Sequence, residues 1–350
     1  MRIVPSHATL TDVAREARVG TTTVSRVING GERVSPATLE RVQRVIQRLG
    51  YQPNHAARIL KGESTRTLGL IVPSVADSFF STCAEAAQKV SRLHHSLLIV
   101  TSSNNHGRTE LENLNVLIQH RVDGVLIAPA VSHNKELVEV LKRSAIPVVS
   151  FDRPIYNSSV PSVVSNNYKG AWEATRHLLS HGYKRIICFG FKGEDSLYTI
   201  KERIRGYRQA IKEANLTPEV DMSISDCESA ELAVRAHIQG PNPPDAIFAL
   251  KNLATIYTCE ALQKMDIPVP ATIALIGFDD FELASTLNPS ITVVKQQIEQ
   301  IGEAATTLLF EQVKARKKAG LRGWQTERNF ETTRLETELI LRSSCGCGRR

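Results

Sequence analysis

The chain has 350 residues, 42% hydrophobic and 23% charged, with 43 Lys+Arg against 36 Asp+Glu for a net charge of +7. That is about two domains' worth of chain at ~150 residues each, and its apolar content can bury a sizeable core, which excludes a disordered polymer. No apolar run approaches the ~18 residues of a membrane span, Met1 to Thr11 lacks a secretory apolar stretch, and six scattered cysteines are too few for a disulfide framework.

The chain is therefore expected to be cytoplasmic and to have no membrane partner. Cys345 and Cys347 form one C-x-C, but no second cysteine pair lies nearby in sequence, so no metal site is expected. The charge is uneven. Residues 1–66 carry 11 basic and 5 acidic side chains, a surplus of +6 that leaves +1 for the rest. A basic module on a near-neutral body points to a polyanion bound by the module alone.

Thr9 and Asp12 form the start of a helix, with Leu10, Val13, Ala14 and Ala17 at helical spacing. A tight turn at Arg18-Val19-Gly20 leads to a second helix from Thr21 to about Ile28 that buries Val24, Val27 and Ile28, and Asn29-Gly30-Gly31 stops it. Ser35-Pro36 opens a third, with Leu39, Val42, Ile46 and Leu49 as its buried stripe and Gly50 as its end. Two short helices joined by a tight turn and braced by a third describe either a helix-turn-helix or any small three-helix bundle. The open face of the second helix favours the former. Thr21, Thr22 and Ser25 carry small hydrogen-bonding groups, and the Arg26 guanidinium can pair bidentately with guanine in a major groove.

Val13-Ala14, Val19, Thr23-Val24-Ser25-Arg26-Val27-Ile28-Asn29, Val34-Ser35 and Gly50-Tyr51-Gln52-Pro53-Asn54 together resemble the headpiece of the lac repressor (LacI/GalR) family. The resemblance runs without a gap over residues 9–62, and the downstream pattern continues it to about residue 342. It implies a transcriptional regulator, most often a repressor, that binds a palindromic double-stranded DNA operator as a homodimer and answers to a small effector. By position it implies Thr21, Thr22 and Arg26 as base readers, with Ser25 and Asn29 on phosphates. One position departs from the family. Arg18 stands where a turn glycine is usual, and a left-handed conformation costs a non-glycine residue roughly 1–2 kcal/mol.

Asn54 to Gly62 has room for only about two helical turns, marginal in isolation. It reads either as a linker that happens to be helical or, by the resemblance, as a hinge helix that folds against its dimer mate in the minor groove. In the second reading Asn54 caps it, Ala57 faces the groove and Leu60 wedges between base pairs.

From Leu68 onward short apolar runs alternate with amphipathic stretches. Strands are expected at 68–72, 97–100, 125–128 and 148–151, then at 186–189, 222–225, 246–250 and 273–276, with helices between them. Such β-α alternation means doubly wound parallel sheets. The resemblance makes the fold a small all-α helix-turn-helix headpiece plus an α/β periplasmic-binding-protein-like body of two lobes. The expected organisation is a headpiece at 1–52, a hinge and linker at 53–66, and a body at 67–342. Lobe one takes about 67–165 and 294–330, lobe two about 166–293 and 331–342, and 343–350 is a tail. Residues 314–328 read as a solvated basic loop, and 334–341 as one final strand of lobe two. No leucine heptads follow Leu341, so a dimer without the tetramerising tail is expected.

No catalytic residue is assigned. Glycine-rich phosphate loops, H-E-x-x-H and G-x-S-x-G are all missing, so neither an enzyme nor a cofactor is expected. The resemblance places effector contacts at Phe79, Phe80, Asp152, Arg203 and Asp279. Lys251-Asn252 stands where sugar-responsive members usually have Asn-Asp, and Cys227 near the place of a stacking aromatic. An ammonium beside Arg203 favours a carboxylate or phosphate, so the expected effector is an anionic sugar derivative, a sugar acid or sugar phosphate. Control by a partner protein instead of a small ligand is the competing reading. A stand-alone solute receptor is a further one, although it would have no use for residues 9–62.

Overall fold

The computed structural model describes residues 8–28, 30, 34–51, 64–323 and 332–347. They fall into two units, residues 1–65 and 66–350.

The first unit holds α1 (Leu10–Ala17), α2 (Thr21–Ile28) and α3 (Pro36–Leu49). Thr9 and Asp12 cap α1 reciprocally: the Asp12 amide donates to Thr9 Oγ1 at 3.2 Å and the Thr9 amide to Asp12 Oδ2 at 3.0 Å. Ser35 caps α3 ahead of Pro36, and Gly50 ends it with φ +59°. Val13, Ala14, Ala17, Val24, Val27, Val42 and Val45 close a miniature core. On α3 the fully inward pair is Val42 and Val45, while Leu39, Ile46 and Leu49 pack half-buried around it.

The second unit is built from two six-stranded sheets. Lobe one contains β1 (Thr67–Val72), α4 (Ser78–Leu93), β2 (Leu97–Ser102), α5 (Gly107–Gln119), β3 (Gly124–Ile127), α6 (Lys135–Ser144), β4 (Val148–Phe151) and β5 (Ser162–Ser165). Lobe two contains α7 (Asn167–Ser180), β6 (Ile186–Phe191), α8 (Tyr198–Glu213), β7 (Glu219–Ile224), α9 (Cys227–Ile238), β8 (Ala246–Ala249), α10 (Asn252–Lys264), β9 (Ala274–Phe278) and β10 (Thr292–Lys295). The chain then returns through α11 (Ile298–Gly323) to lobe one, pairs β11 (Thr332–Leu335) there, and ends with β12 (Glu338–Ile340) in lobe two. The strand orders are β2-β1-β3-β4-β5-β11 and β7-β6-β8-β9-β10-β12, parallel throughout except for the β10–β12 pair.

Period-two alternation sends each strand's side chains to two separate cores. Leu68, Leu70 and Val72 of β1 pack with Phe80 and Cys83 of α4 and Leu309 of α11, whereas Ile71 faces Leu114 of α5 and Leu137 of α6. In lobe two Phe248 of β8 lies under α7 and α8 with Tyr207, and Ile247 under α9 and α10 with Val234. Gly206 lets α8 lie against α7, because a Cβ there would come within 2.1 Å of the Tyr168 carbonyl oxygen.

Two expectations are corrected. The basic stretch after 314 continues α11 to Gly323 rather than forming a loop. Leu309 and Val313 anchor that helix against Gly124, and the alanines, lysines and arginines that follow are good helix formers. The stretch 334–341 is not one strand: Arg334 and Leu335 pair with β5 in lobe one, and only 338–340 pair in lobe two. Glu336 and Thr337 between them make the third crossing, which an eight-residue apolar-polar run hides. Glu336 also holds the first crossing, accepting from Asn166 Nδ2 at 3.0 Å and from Lys169 Nζ at 2.7 Å.

Candidate DNA-reading face and effector cleft

In the first unit α2 turns Val24 and Val27 inward and leaves Thr21, Thr22 and Arg26 exposed, with Ser25 half-buried beside them. Arg15 is held by Asp12, Arg44 by Glu40 and Arg48 by Glu16, but among the described residues Arg26 has no ion-pair partner. Its guanidinium is thus available to a ligand. Arg18 caps α1 in the left-handed conformation, φ 53° and ψ 49°, the geometry a turn glycine would adopt without cost. Asn29, Asn54, Ala57 and Leu60 lie outside the described residues.

In the second unit the ends of several strands in both lobes converge. Asp152 follows β4 and Asp279 follows β9, each with positive φ (63° and 74°) and each donating its amide to the neighbouring strand, at Val163 and Val294. The two acids are thus counterparts in the two lobes. Such backbone conformations are concentrated where a side chain has to be aimed. Arg203 of α8 is buried at 4% exposure with its guanidinium carbon 3.7 Å from the centre of the Phe278 ring. It donates to Asn167 Oδ1 at 2.8 Å, to the Leu250 carbonyl at 2.6 Å and to Asp279 at 3.4 Å. Gln296, in the second crossing, donates to the other oxygen of Asp279, and its own Oε1 is buried without a partner among the described residues.

Sequence reading missed several neighbours. Arg153 donates to Asp152 at 3.0 Å and to Asn105 at 2.8 Å. Asp77 caps α4, and burial pushes its carboxyl up, with Asp279 and Glu194 adding to the effect while the Phe79 amide and Lys251 oppose it. Burial likewise raises Asp152, against the pull of Arg153 and Arg203. Lys251 does not stand free: its ammonium lies 3.1 Å from Glu194 and 4.9 Å from the Phe191 ring. Arg153, Arg203 and Lys251 are therefore each matched by a carboxylate, and Asp77 is surplus. Phe79 and Phe80 are both in the core of lobe one, edge to face at 5.0 Å, with Phe80 also against Phe151 at 6.3 Å.

Arg153 also lines a cavity of ≈ 290 Å³ between lobe-one residues such as Ser132 and Tyr156 and lobe-two residues such as Ser196 and Tyr198. His133 stacks on Tyr156 at 4.5 Å, and Tyr198 meets the same ring at 6.4 Å. Aromatic faces beside paired carboxylates and arginines are a combination that binds small polar rings. No single local motif marks these residues; only the sheet brings them together. The same is true of His177 of α7 and His181, which caps that helix; both meet Cys345 and Cys347. The C-x-C does have partners, in the helix that follows the first crossing.

Comparison with known proteins identifies the family. Residues 9–54 match the model of bacterial regulatory proteins of the lacI family, and residues 65–333 that of periplasmic binding proteins and the sugar-binding domain of the LacI family. The chain belongs to the LacI family of sequence-specific DNA-binding transcriptional regulators and is not an enzyme. It is 33% identical to the HTH-type transcriptional repressor PurR of Vibrio atlanticus (strain LGP32) over 311 residues, covering 88% of this chain and 92% of the relative. It is 32% identical to catabolite control protein A of Priestia megaterium over 307 residues, covering 87% and 92%. Among solved structures, a transcriptional regulator CelR–cellobiose complex superposes with a TM-score of 0.68 at 28% identity, covering 96% of this chain and 99% of the other. The lac repressor dimer bound to operator and the anti-inducer ONPF superposes at 0.82 and 20% identity, covering 97% and 99%, a likeness of fold. Among the described residues no helix is long and apolar enough to cross a membrane.

Proposed function

We propose that the chain is a repressor that binds a palindromic operator as a homodimer, with operator affinity set by a small polar effector in the cleft between its lobes. Thr21, Thr22 and Arg26 read bases, Ser25 and Asn29 hold phosphates, and the segment with Asn54, Ala57 and Leu60 enters the minor groove. The similarity to PurR, a transcriptional repressor, and the fold shared with the lac repressor dimer bound to its operator support this reading.

The effector is a neutral, polyhydroxylated molecule the size of a small sugar, held by Asp152, Arg203 and Asp279. Buried, prepositioned Arg203 on Phe278 carries the reading: it and the two carboxylates offer donors and acceptors to hydroxyls, and Arg153, Arg203 and Lys251 are each already paired with a carboxylate. A sugar acid or sugar phosphate is the second reading, favoured by three cations in one cleft. It requires the ligand to take Lys251 from Glu194. Phe79 and Phe80 would shape the wall from behind rather than touch the ligand. Thermal-shift screening of the full chain against matched sets of sugars, sugar acids and sugar phosphates tests the choice. Stabilisation by the neutral set alone supports the first reading, and by the anionic sets alone the second. No response to any small molecule would move control to a partner protein.

A further inference from the structure

We propose that His177, His181, Cys345 and Cys347 form a Cys2His2 site for one zinc ion, which staples the C-terminal segment to α7. The four ligand atoms lie within 4.8 Å of one another. His177 Nε2 is 3.3 Å from Cys345 Sγ and 3.4 Å from Cys347 Sγ, and His181 Nε2 is 3.3 Å from Cys347 Sγ. With Zn–S at about 2.3 Å and Zn–N at about 2.0 Å, a tetrahedral ion holds neighbouring sulfur and nitrogen ligands roughly 3.5 Å apart. Three nitrogen–sulfur edges are thus already close to the dimensions of a zinc tetrahedron.

The local sequence explains the convergence. His177 and His181 are four residues apart at the end of α7, so their rings share one face and meet at 4.7 Å. Gly346, between the cysteines, has φ +99° and a Cβ there would lie 3.1 Å from the Tyr183 hydroxyl, so glycine lets the chain curl and turn both thiols the same way. The segment before it is fixed. Arg342 grips Asp280 with two bonds of 2.9 and 3.0 Å, and the Ser344 hydroxyl donates to the Leu275 carbonyl at 2.6 Å. Thr292 Oγ1 donates to Cys345 Sγ at 3.1 Å, an outer hydrogen bond of the kind that steadies a metal-bound thiolate.

Two thiolates and two imidazoles select zinc among common divalent ions and leave no open position, so the site is structural. Cys345 is buried while His181 and Cys347 reach the surface, which gives the ion a way in. Binding would lock the residues after β12, the strand that follows the third crossing, against the helix that follows the first.

The test is metal analysis of the full chain, purified under reductant and equilibrated with zinc, together with its cobalt-substituted form. We expect one zinc per chain, a tetrahedral cobalt spectrum with thiolate charge transfer, and a thermal midpoint that falls on chelation. The double variant His181→Ala/Cys347→Ser, changed at surface positions, should lose all three signatures, whereas Cys227→Ser should keep them. Absence of zinc from the unaltered chain would overturn the proposal, as would undiminished zinc in the double variant. Copper or iron in place of zinc, or a Cys345–Cys347 disulfide in reduced protein, would also overturn it.

Discussion

The Lys251 ammonium sits 3.1 Å from the Glu194 carboxylate, at the cleft edge of lobe two, so its charge is committed before any ligand arrives. The side chains are about one-fifth exposed, 19% and 22%, which leaves the pair partly screened but within reach of a ligand. Glu194→Gln releases the ammonium and should shift effector preference toward anions. A sugar phosphate that gives no thermal shift with the unaltered chain should stabilise this variant, and identical ligand profiles for the two proteins would contradict the assignment.

Arg26 is the exposed guanidinium of α2 with no ion-pair partner among the described residues. Arg26→Ala should cost about 1–3 kcal/mol of operator discrimination and relax specificity at one base step of each half-site. Leu60→Ala should weaken operator binding more than tenfold without altering the melting of the body. Both are read by fluorescence anisotropy on an operator selected from random duplexes.

Arg18 occupies a left-handed turn that a glycine would fill more cheaply. Arg18→Gly should stabilise the headpiece by about 1 kcal/mol, the relieved conformational penalty less the entropy glycine loses on folding. If Arg18 is kept for a phosphate contact, the same change lowers operator affinity and reduces the salt slope by about 1. Calorimetry and a salt titration of the full chain separate the two effects.

Glu110 is fully buried at the start of α5 and accepts the Ala130 amide at 2.6 Å, and burial pushes its carboxyl up to about 7 from 4.5. Between those two values the folded chain therefore holds a proton that the unfolded chain has released. The stability that this proton supports is complete below pH 4.5, declines as pH rises to about 7 and is gone above it, on the order of 3 kcal/mol in all. Glu110→Gln keeps an acceptor for Ala130 and should flatten that slope between pH 5 and 7 in denaturant titrations (roughly the interval between the two proton affinities). An unchanged slope would show that Glu110 is ionised in the folded chain.

Much of this architecture was legible because it is local. The Thr9–Asp12 and Ser35–Pro36 caps, the inward Val24 and Val27, and β-α alternation from Leu68 onward each need only a few neighbouring residues. The resemblance points to Arg203, Asp152 and Asp279, but not to the matching geometry of the two acids in the two lobes. What escaped depends on tertiary approach: Glu194 lies 57 residues before Lys251, and His177 lies 168 before Cys345. Splitting of 332–340 between two sheets escaped as well, because a crossing through Glu336 leaves no break in composition.

Occupancy of the Arg203–Asp279 site is expected to set operator affinity. Its most direct test is operator anisotropy titrated with whichever small molecule stabilises the full chain, for the unaltered protein and for Arg203→Lys. A Lys ammonium retains the charge but loses the fork that spans Asn167, Leu250 and Asp279. We expect at least a tenfold change in operator affinity for the unaltered chain, about 1.4 kcal/mol of coupling or more, and little or none for Arg203→Lys, with both proteins binding the operator equally in the absence of ligand. A stabilising ligand that leaves operator affinity unchanged, or that acts equally on both proteins, would contradict it.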